Sequence, residues 1–175
     1  MTIHEAPLRV LDVPPQVTSL PMTDYGKKKS GRYAFAHSRI QEAMKAGFYL
    51  EAITITESMI SDRLLASGEY LMDEPRDARA GLAKLLNKHL KNERLCTAPG
   101  LASATGKTLF EQLDRWREER NKLIHGVAKC LPGFEDKLET TMDLMERARG
   151  QAAEGLRLFR KLDDWLRRER RIQTA

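Results

Sequence analysis

The placement of proline constrains this chain more than any other feature. Pro7, Pro14, Pro15 and Pro21 all fall in the first 21 residues, and only Pro75, Pro99 and Pro132 follow. Proline lacks a backbone donor and clashes with the preceding turn, so helix interiors exclude it. The long stretches between the later prolines are therefore free to be helical. Residues 1–30 read as an extended N-terminal arm ending in Lys27, Lys28 and Lys29. Residues 31–175 read as one helical domain, a size that a single hydrophobic core can support.

Beyond the arm, apolar residues recur every three or four positions. The spacing predicts a first helix over 32–46, capped by Ser30, with Tyr33, Ala36, Ile40, Ala43 and Met44 on one face. Gly47 offers a break. A second helix is expected over 49–66, with Leu50, Ile53, Ile60 and Leu64 as its stripe and Gly68 as its stop. A third is expected over 76–95, carrying Leu82, Leu85, Leu86 and Leu90. Residues 96–106 form a small-residue loop around Pro99. A fourth helix is expected over 107–131, ended by Pro132 and Gly133. The fifth starts near Phe134 and reaches Arg171, about 55 Å at ~1.5 Å per residue. Its stripe is Leu138, Met142, Met145, Ala148, Ala152, Leu156, Phe159, Leu162 and Leu166, with Gly150 and Gly155 as places to bend. No stretch alternates with period two. The expected fold is all-α, a four- to five-helix up-and-down bundle.

Composition narrows the function classes. The chain is 41% hydrophobic and 31% charged, enough for both a core and a hydrated surface. Thirty Lys and Arg against 25 Asp and Glu give a net charge of +5, which permits an anionic partner without demanding one. Cys96 and Cys130 make no disulfide framework and lack the partners of a zinc site. They read as two buried or idle thiols in a reducing cytoplasm. No apolar run approaches the roughly 18 residues of a membrane span. The start, MTIHEAPLRV, has neither the basic nor the apolar region of a secretory signal.

Two anomalies interrupt the apolar stripes. Leu109, Leu113, Trp116, Leu123 and Val127 line one face of the fourth helix, and Arg120 falls among them. Glu57 lies between Ile53 and Ile60 on the second helix. A guanidinium or carboxylate on an apolar face is costly unless paired. Glu57, or Asp62 nearby, is therefore expected to satisfy Arg120. The plain alternative is an ion pair that fixes helix register and does no chemistry. Another is that the stripe faces a second chain. Further on, Asn121 and His125 share a helix face at about 40°, whereas Arg120 and His125 point about 140° apart. A bend, the arginine's length or dimer symmetry would have to unite them.

The string RNKLIH resembles the signature of the HEPN superfamily (higher eukaryotes and prokaryotes nucleotide-binding domains): arginine, asparagine, three residues, histidine. The segment AMKAGFYLEAITITESMISDRLL is similar to the early helix pair of such domains. The resemblance covers residues 32–131, with the fifth helix completing the bundle. It implies a metal-independent RNA endonuclease, a toxin or phage-defence effector, working as a homodimer with the motifs of two chains meeting in a cleft. His125 would then be the general acid or base, Arg120 would hold the scissile phosphate, and Asn121 would orient the histidine or the substrate. The RNA 2′-hydroxyl supplies the nucleophile, so no metal or cofactor is expected. Glu57 and Asp62 would steer Arg120 or His125. Arg117, Lys122, Arg167 and Arg168 would line an RNA path. An antitoxin such as a minimal nucleotidyltransferase is the implied protein partner. The rival expectations are a non-catalytic HEPN-like module binding nucleotide, RNA or a partner protein, and a purely structural dimeric bundle.

Other signals fail on spacing. GLASATGKT has five residues between Gly100 and Gly106 where a phosphate loop needs four, and no strand precedes it. His4, His37 and His89 are scattered, with no partners at a metal-ligand spacing. Trp116 and Trp165 sit at apolar stripes and are expected to pack in the core rather than stack on bases.

Overall fold

The computed structural model describes residues 24–96, 108–128 and 141–174. Six helices make up nearly all of them: α1 (Asp24–Ala46), α2 (Tyr49–Leu71), α3 (Leu82–Leu90), α4 (Glu93–Cys96), α5 (Leu109–Ala128) and α6 (Thr141–Thr174). No strand occurs among the described residues. Several expectations fall on positions outside them: the arm up to residue 23, the loop at 97–106, Cys130, the Pro132–Gly133 stop, and the predicted helix start from Phe134 to Leu138.

Helix ends follow local chemistry. Gly47, at φ 79°, terminates α1: the Phe48 N–H donates to Ala43 O at 2.8 Å and the Gly47 N–H to Met44 O at 3.4 Å. This is the Schellman pattern, which needs a left-handed residue and so favours glycine. The short turn sends α2 back along α1. The start of α5 is a reciprocal capping box. The Thr108 N–H donates to Glu111 Oε2 (2.6 Å), and the Glu111 N–H donates to Thr108 Oγ1 (3.2 Å).

The long helices run up, down, up, down. Arg39 of α1 pairs with Glu51, and Tyr33 with Asp62, so α1 and α2 are antiparallel. Arg63 pairs with Asp163, and the Tyr70 hydroxyl donates to Arg170 O, so α2 and α6 are parallel. Gln112 bonds to Arg157 and Trp116 to Gln151, so α5 is antiparallel to α6. The short α3 and α4 bridge α2 to α5. The core gathers Ile53, Ile60 and Leu64 of α2, Phe110, Leu113 and Leu123 of α5, and Leu158, Phe159, Leu162 and Trp165 of α6. Burying each such side chain is worth roughly 1.5–3 kcal/mol.

The structure corrects several expected elements. The arm does not extend to residue 30: α1 begins at Asp24, and Ser30 and the three lysines lie within it. Asp24 is a favourable charge for a helix start, and Lys29 is anchored at 2.8 Å to Asp62 of α2, far away in sequence. Gly68 does not stop α2, which runs on to Leu71. Asp73, at φ 51°, takes the left-handed conformation that ends it. The predicted third helix is two short ones. Asp77 makes a turn, its Oδ1 accepting from the Arg79 N–H (3.2 Å), and the Asn92 side chain caps α4 by accepting from the Leu95 N–H (3.2 Å). Leu50, Met142 and Met145, assigned to buried stripes, are exposed.

Helix α6 runs unbroken through Gly150 and Gly155. At Gly155 the need is packing rather than a bend. A Cβ there would lie 2.6 Å from Trp116 Cζ2, so the glycine is a notch for the indole. Trp116 Nε1 donates to Gln151 O at 2.9 Å, and Gln151 Nε2 donates back to Trp116 O at 2.6 Å. That exchange fixes the depth and register of α5 on α6.

Candidate functional site at the end of helix α5

Trp116 is one turn ahead of Arg120, so the Gly155 notch also sets where Arg120 projects. The guanidinium turns inward to α2, where its Nη2 meets Glu57 Oε1 in a close ion pair. Its Nη1 donates to Asn121 Oδ1 at 2.7 Å, while its buried Nε has no partner among the described residues. Burial pulls the Arg120 pKa below its usual value, yet a guanidinium stays charged near neutral pH, and it pairs with Glu57. The carboxylate that satisfies Arg120 is thus Glu57.

Asp62 is elsewhere. Five residues on from Glu57, it projects about 140° away around α2. It accepts from Tyr33 Oη (2.6 Å) and pairs with Lys29 Nζ (2.8 Å) and Arg76 Nη2 (2.6 Å). It is therefore a tie between α1, α2 and the segment after α2, and does not steer Arg120 or His125.

His125 is exposed in the last turn of α5, on the face it shares with Asn121. Asn121 bonds the inward arginine and stands one turn from the outward histidine. Within one chain, Arg120 and His125 occupy different faces. This is the 140° divergence that an unbent helix imposes.

The flanking cations are not free, with one exception. Arg117 is held by Asp114 at 2.8 Å, with Glu118 at 3.6 Å, and Lys122 by Glu119 at 2.8 Å. Arg167 pairs with Asp163 at 2.8 Å. Arg168 is exposed and makes no ion pair among the described residues. Arg167 and Arg168 also sit at the wrong end of the bundle. Gly126 of α5 lies against Leu144 near the start of α6, and 23 helical residues at ~1.5 Å each place Arg167 about 35 Å from there. They cannot share one phosphate with His125 of the same chain.

One feature of this end was not foreseen. Phe48, Tyr49 and Leu50 of the α1–α2 corner face Leu144, Met145 and Ala148 of α6 across an open apolar groove of about 400 Å³. Phe48 and Met145 are large exposed apolar side chains, and Met142, one turn before, is 80% exposed. Since Leu144 lines this groove and lies beside Gly126, the residue after His125, the apolar surface and the motif share one end of the bundle. The methionines were readable in the sequence, but their helical spacing looked like core.

Among the described residues no group of three or more His, Cys, Asp or Glu could hold a metal, and no helix is long and apolar enough to cross a membrane. In comparison with known proteins, no family model, no curated protein and no solved structure matches the chain.

Proposed function

We propose that this chain is a HEPN-type, metal-independent RNA endonuclease that works as a homodimer. The observation that carries this reading is the polar cluster at the end of α5. Glu57 and Asn121 hold the Arg120 guanidinium, and Asn121 stands one turn from the open imidazole of His125. In this reading an imidazole takes the proton of an RNA 2′-hydroxyl. The 2′-oxygen attacks phosphorus, the P–O5′ bond breaks, and the leaving 5′-oxygen takes up a proton. The products are a 2′,3′-cyclic phosphate and a 5′-hydroxyl. Arg120 stabilises the charge developing on the phosphoryl oxygens. The partner's copy of the motif supplies a second imidazole, and in this reading Arg120 turns from Glu57 toward the shared phosphate when RNA binds. The apolar groove and the exposed Met142 and Met145 beside the motif support such a dimer, because exposed apolar surface of this kind marks contact sites. A toxin or phage-defence role, restrained by an antitoxin such as a minimal nucleotidyltransferase, belongs to the same proposal, as does a cytoplasmic setting.

The test is cleavage of end-labelled RNA by the full chain in excess chelator. Wild type is expected to give cyclic-phosphate ends. His125→Ala is expected to lose about 10²–10⁴-fold in rate at an unchanged melting temperature, since the ring is exposed. Equal cleavage by wild type, His125→Ala and Arg120→Ala ends the proposal. A second reading, a non-catalytic module binding RNA, nucleotide or a partner protein, is favoured by one fact: both Nη atoms of Arg120 already have partners within the chain. Stable RNA binding with no products identifies that case.

A further inference from the structure

A second concave site lies away from α5. The amino-terminal part of α1, the middle of α2 and Arg76 beyond it line a cleft of about 460 Å³, within the range of roughly 300–1,000 Å³ typical of small-molecule sites. Its apolar wall is made by Ala36 of α1 with Ile55 and Met59 of α2. Its polar side carries four cations, Lys28, Lys29, Arg32 and Arg76, against one lining carboxylate, Asp62, while Arg76 is also paired with Glu69 outside the cleft at 3.1 Å.

That carboxylate organises the cations rather than cancelling them. Asp62 takes the phenol of Tyr33, the ammonium of Lys29 and the guanidinium of Arg76, three donors from three different stretches of chain. Burial alone would raise its pKa, but Lys29, Tyr33 and Arg76 together hold it below the usual carboxylate value, so it stays ionised and keeps the donors in place. Lys29 spends one of its three N–H groups on Asp62. Lys28 and Arg32, four residues apart on one face of α1, are exposed and make no ion pair among the described residues. Uncompensated cations beside a low-dielectric wall raise the local concentration of anions. The apolar wall offers nothing to a bare inorganic ion but matches an attached hydrophobic group.

We propose that this cleft binds a small amphiphilic anion, a phosphate or carboxylate head carried on an apolar or aromatic body. The head meets Lys28, Lys29 and Arg32, and the body lies along Ala36, Ile55 and Met59. None of these residues belongs to α5, so the proposal does not depend on ribonuclease activity.

The experiment uses the full chain labelled with ¹³C at its methionine methyls. Met59 lines this cleft and Met145 the apolar groove, so the two resonances separate the two sites. Three probes are titrated: 1-naphthyl phosphate, inorganic phosphate and 1-naphthol. Naphthyl phosphate is expected to shift Met59, to leave Met145 in place, and to bind about tenfold or more tighter than either half alone. The double variant Lys28→Glu, Arg32→Glu is expected to weaken it by about tenfold or more, and Arg32→Gln by less. Inorganic phosphate binding as tightly as naphthyl phosphate would reduce the site to charge attraction and overturn the proposal. So would naphthol binding as tightly, a shift at Met145 in place of Met59, no shift at millimolar probe, or full affinity in both variants.

Discussion

Two arginines in this bundle have nearly the same immediate chemistry and very different surroundings. Arg63 and Arg120 are each about 15% exposed at the side chain, each pairs across helices with a carboxylate, and each buries an Nε with no partner among the described residues. Arg63 is enclosed by its own chain. Its guanidinium lies 4.4 Å from the Tyr33 ring centre, and its Nη2 is 2.7 Å from Asp163 Oδ1, while the other oxygen of Asp163 is taken by Arg167 at 2.8 Å. Arg120 leans on Glu57, which is 24% exposed, and on Asn121, at an end of the molecule that also exposes His125 and a band of apolar side chains. A buried ion pair by itself therefore says little about role. What separates a clamp from a candidate site is whether the groups one turn away are closed or open.

The largest expected effect tests this contrast directly. Removing Asp163 strands Arg63, with Arg167 and the half-buried His37 close by. Asp163→Ala is expected to cost about 3–5 kcal/mol of stability in urea unfolding, the usual penalty for orphaning a buried charge. Glu57→Ala is expected to cost less, about 1.5–3 kcal/mol, because Asn121 still accepts from Arg120 and water reaches Glu57 more easily. Glu57→Ala should instead show its main effect in RNA cleavage or binding, where Asp163→Ala, measured below its unfolding transition, should show none. Equal stability losses with no RNA phenotype at Glu57 would erase the distinction and leave Arg120 as a second clamp.

A smaller effect comes from the notch that seats α5. In Gly155→Ala the added methyl meets the Trp116 indole at 2.6 Å, and the tryptophan is held by hydrogen bonds in both directions with Gln151. The side chain has little room to yield, so the helices must move, at a cost of about 1–3 kcal/mol. The displacement falls on α5 one turn before Arg120, while Arg63 on α2 is spared. In ¹⁵N spectra, shifts concentrated around residues 116–125 fit this account, whereas shifts centred on Arg63 would refute it.

These sites differ in how far the amino-acid sequence exposes them. The Arg120–Glu57 pair was readable because each charge interrupts an otherwise apolar stripe, and two interruptions on facing helices can cancel. The long helices were readable for a similar reason, since proline-free stretches with period 3.6 have few alternatives. The first turns of α1 were not. Three successive lysines near several prolines look like a solvated tail, and the group that orders Lys29 and Tyr33, Asp62, is about 30 residues further on. Nor was Gly155, because a helical glycine reads as a weak point until the tryptophan that fills the space is seen. Met142 and Met145 fail in the opposite sense. Their spacing matches α6's buried face, but both are exposed at this end of the helix. Periodicity reports which side of a helix is apolar, not how far along it a partner extends.

The smallest expected effect is on pH dependence, and it again divides the two arginines. His37 packs its ring on Phe159 at 5.5 Å and faces Arg160, Asp163, Arg167 and Arg63. Burial, then the charge of Arg160, lower its pKa below the ordinary value, with Asp163 opposing. His89, buried with its Nδ1 donating to Leu85 O at 2.8 Å, is also lowered by burial. A histidine whose folded pKa is depressed takes up its proton more readily in the unfolded chain. Stability is therefore full above about pH 6.5 and falls as pH drops from there toward the folded pKa. His37→Gln should flatten part of that slope and His89→Gln another part. The accompanying chemical-shift changes in the His37 series should appear at Arg63 and Asp163, not at Arg120. Among the described residues Arg120 has no histidine on its buried side: its contacts there are Glu57 and Asn121. An acid-induced loss of stability that survives both substitutions would assign the titration to other groups. A response centred on Arg120 would mean that its end of the bundle is coupled to His37 through α6, and the two sites could no longer be treated as separate.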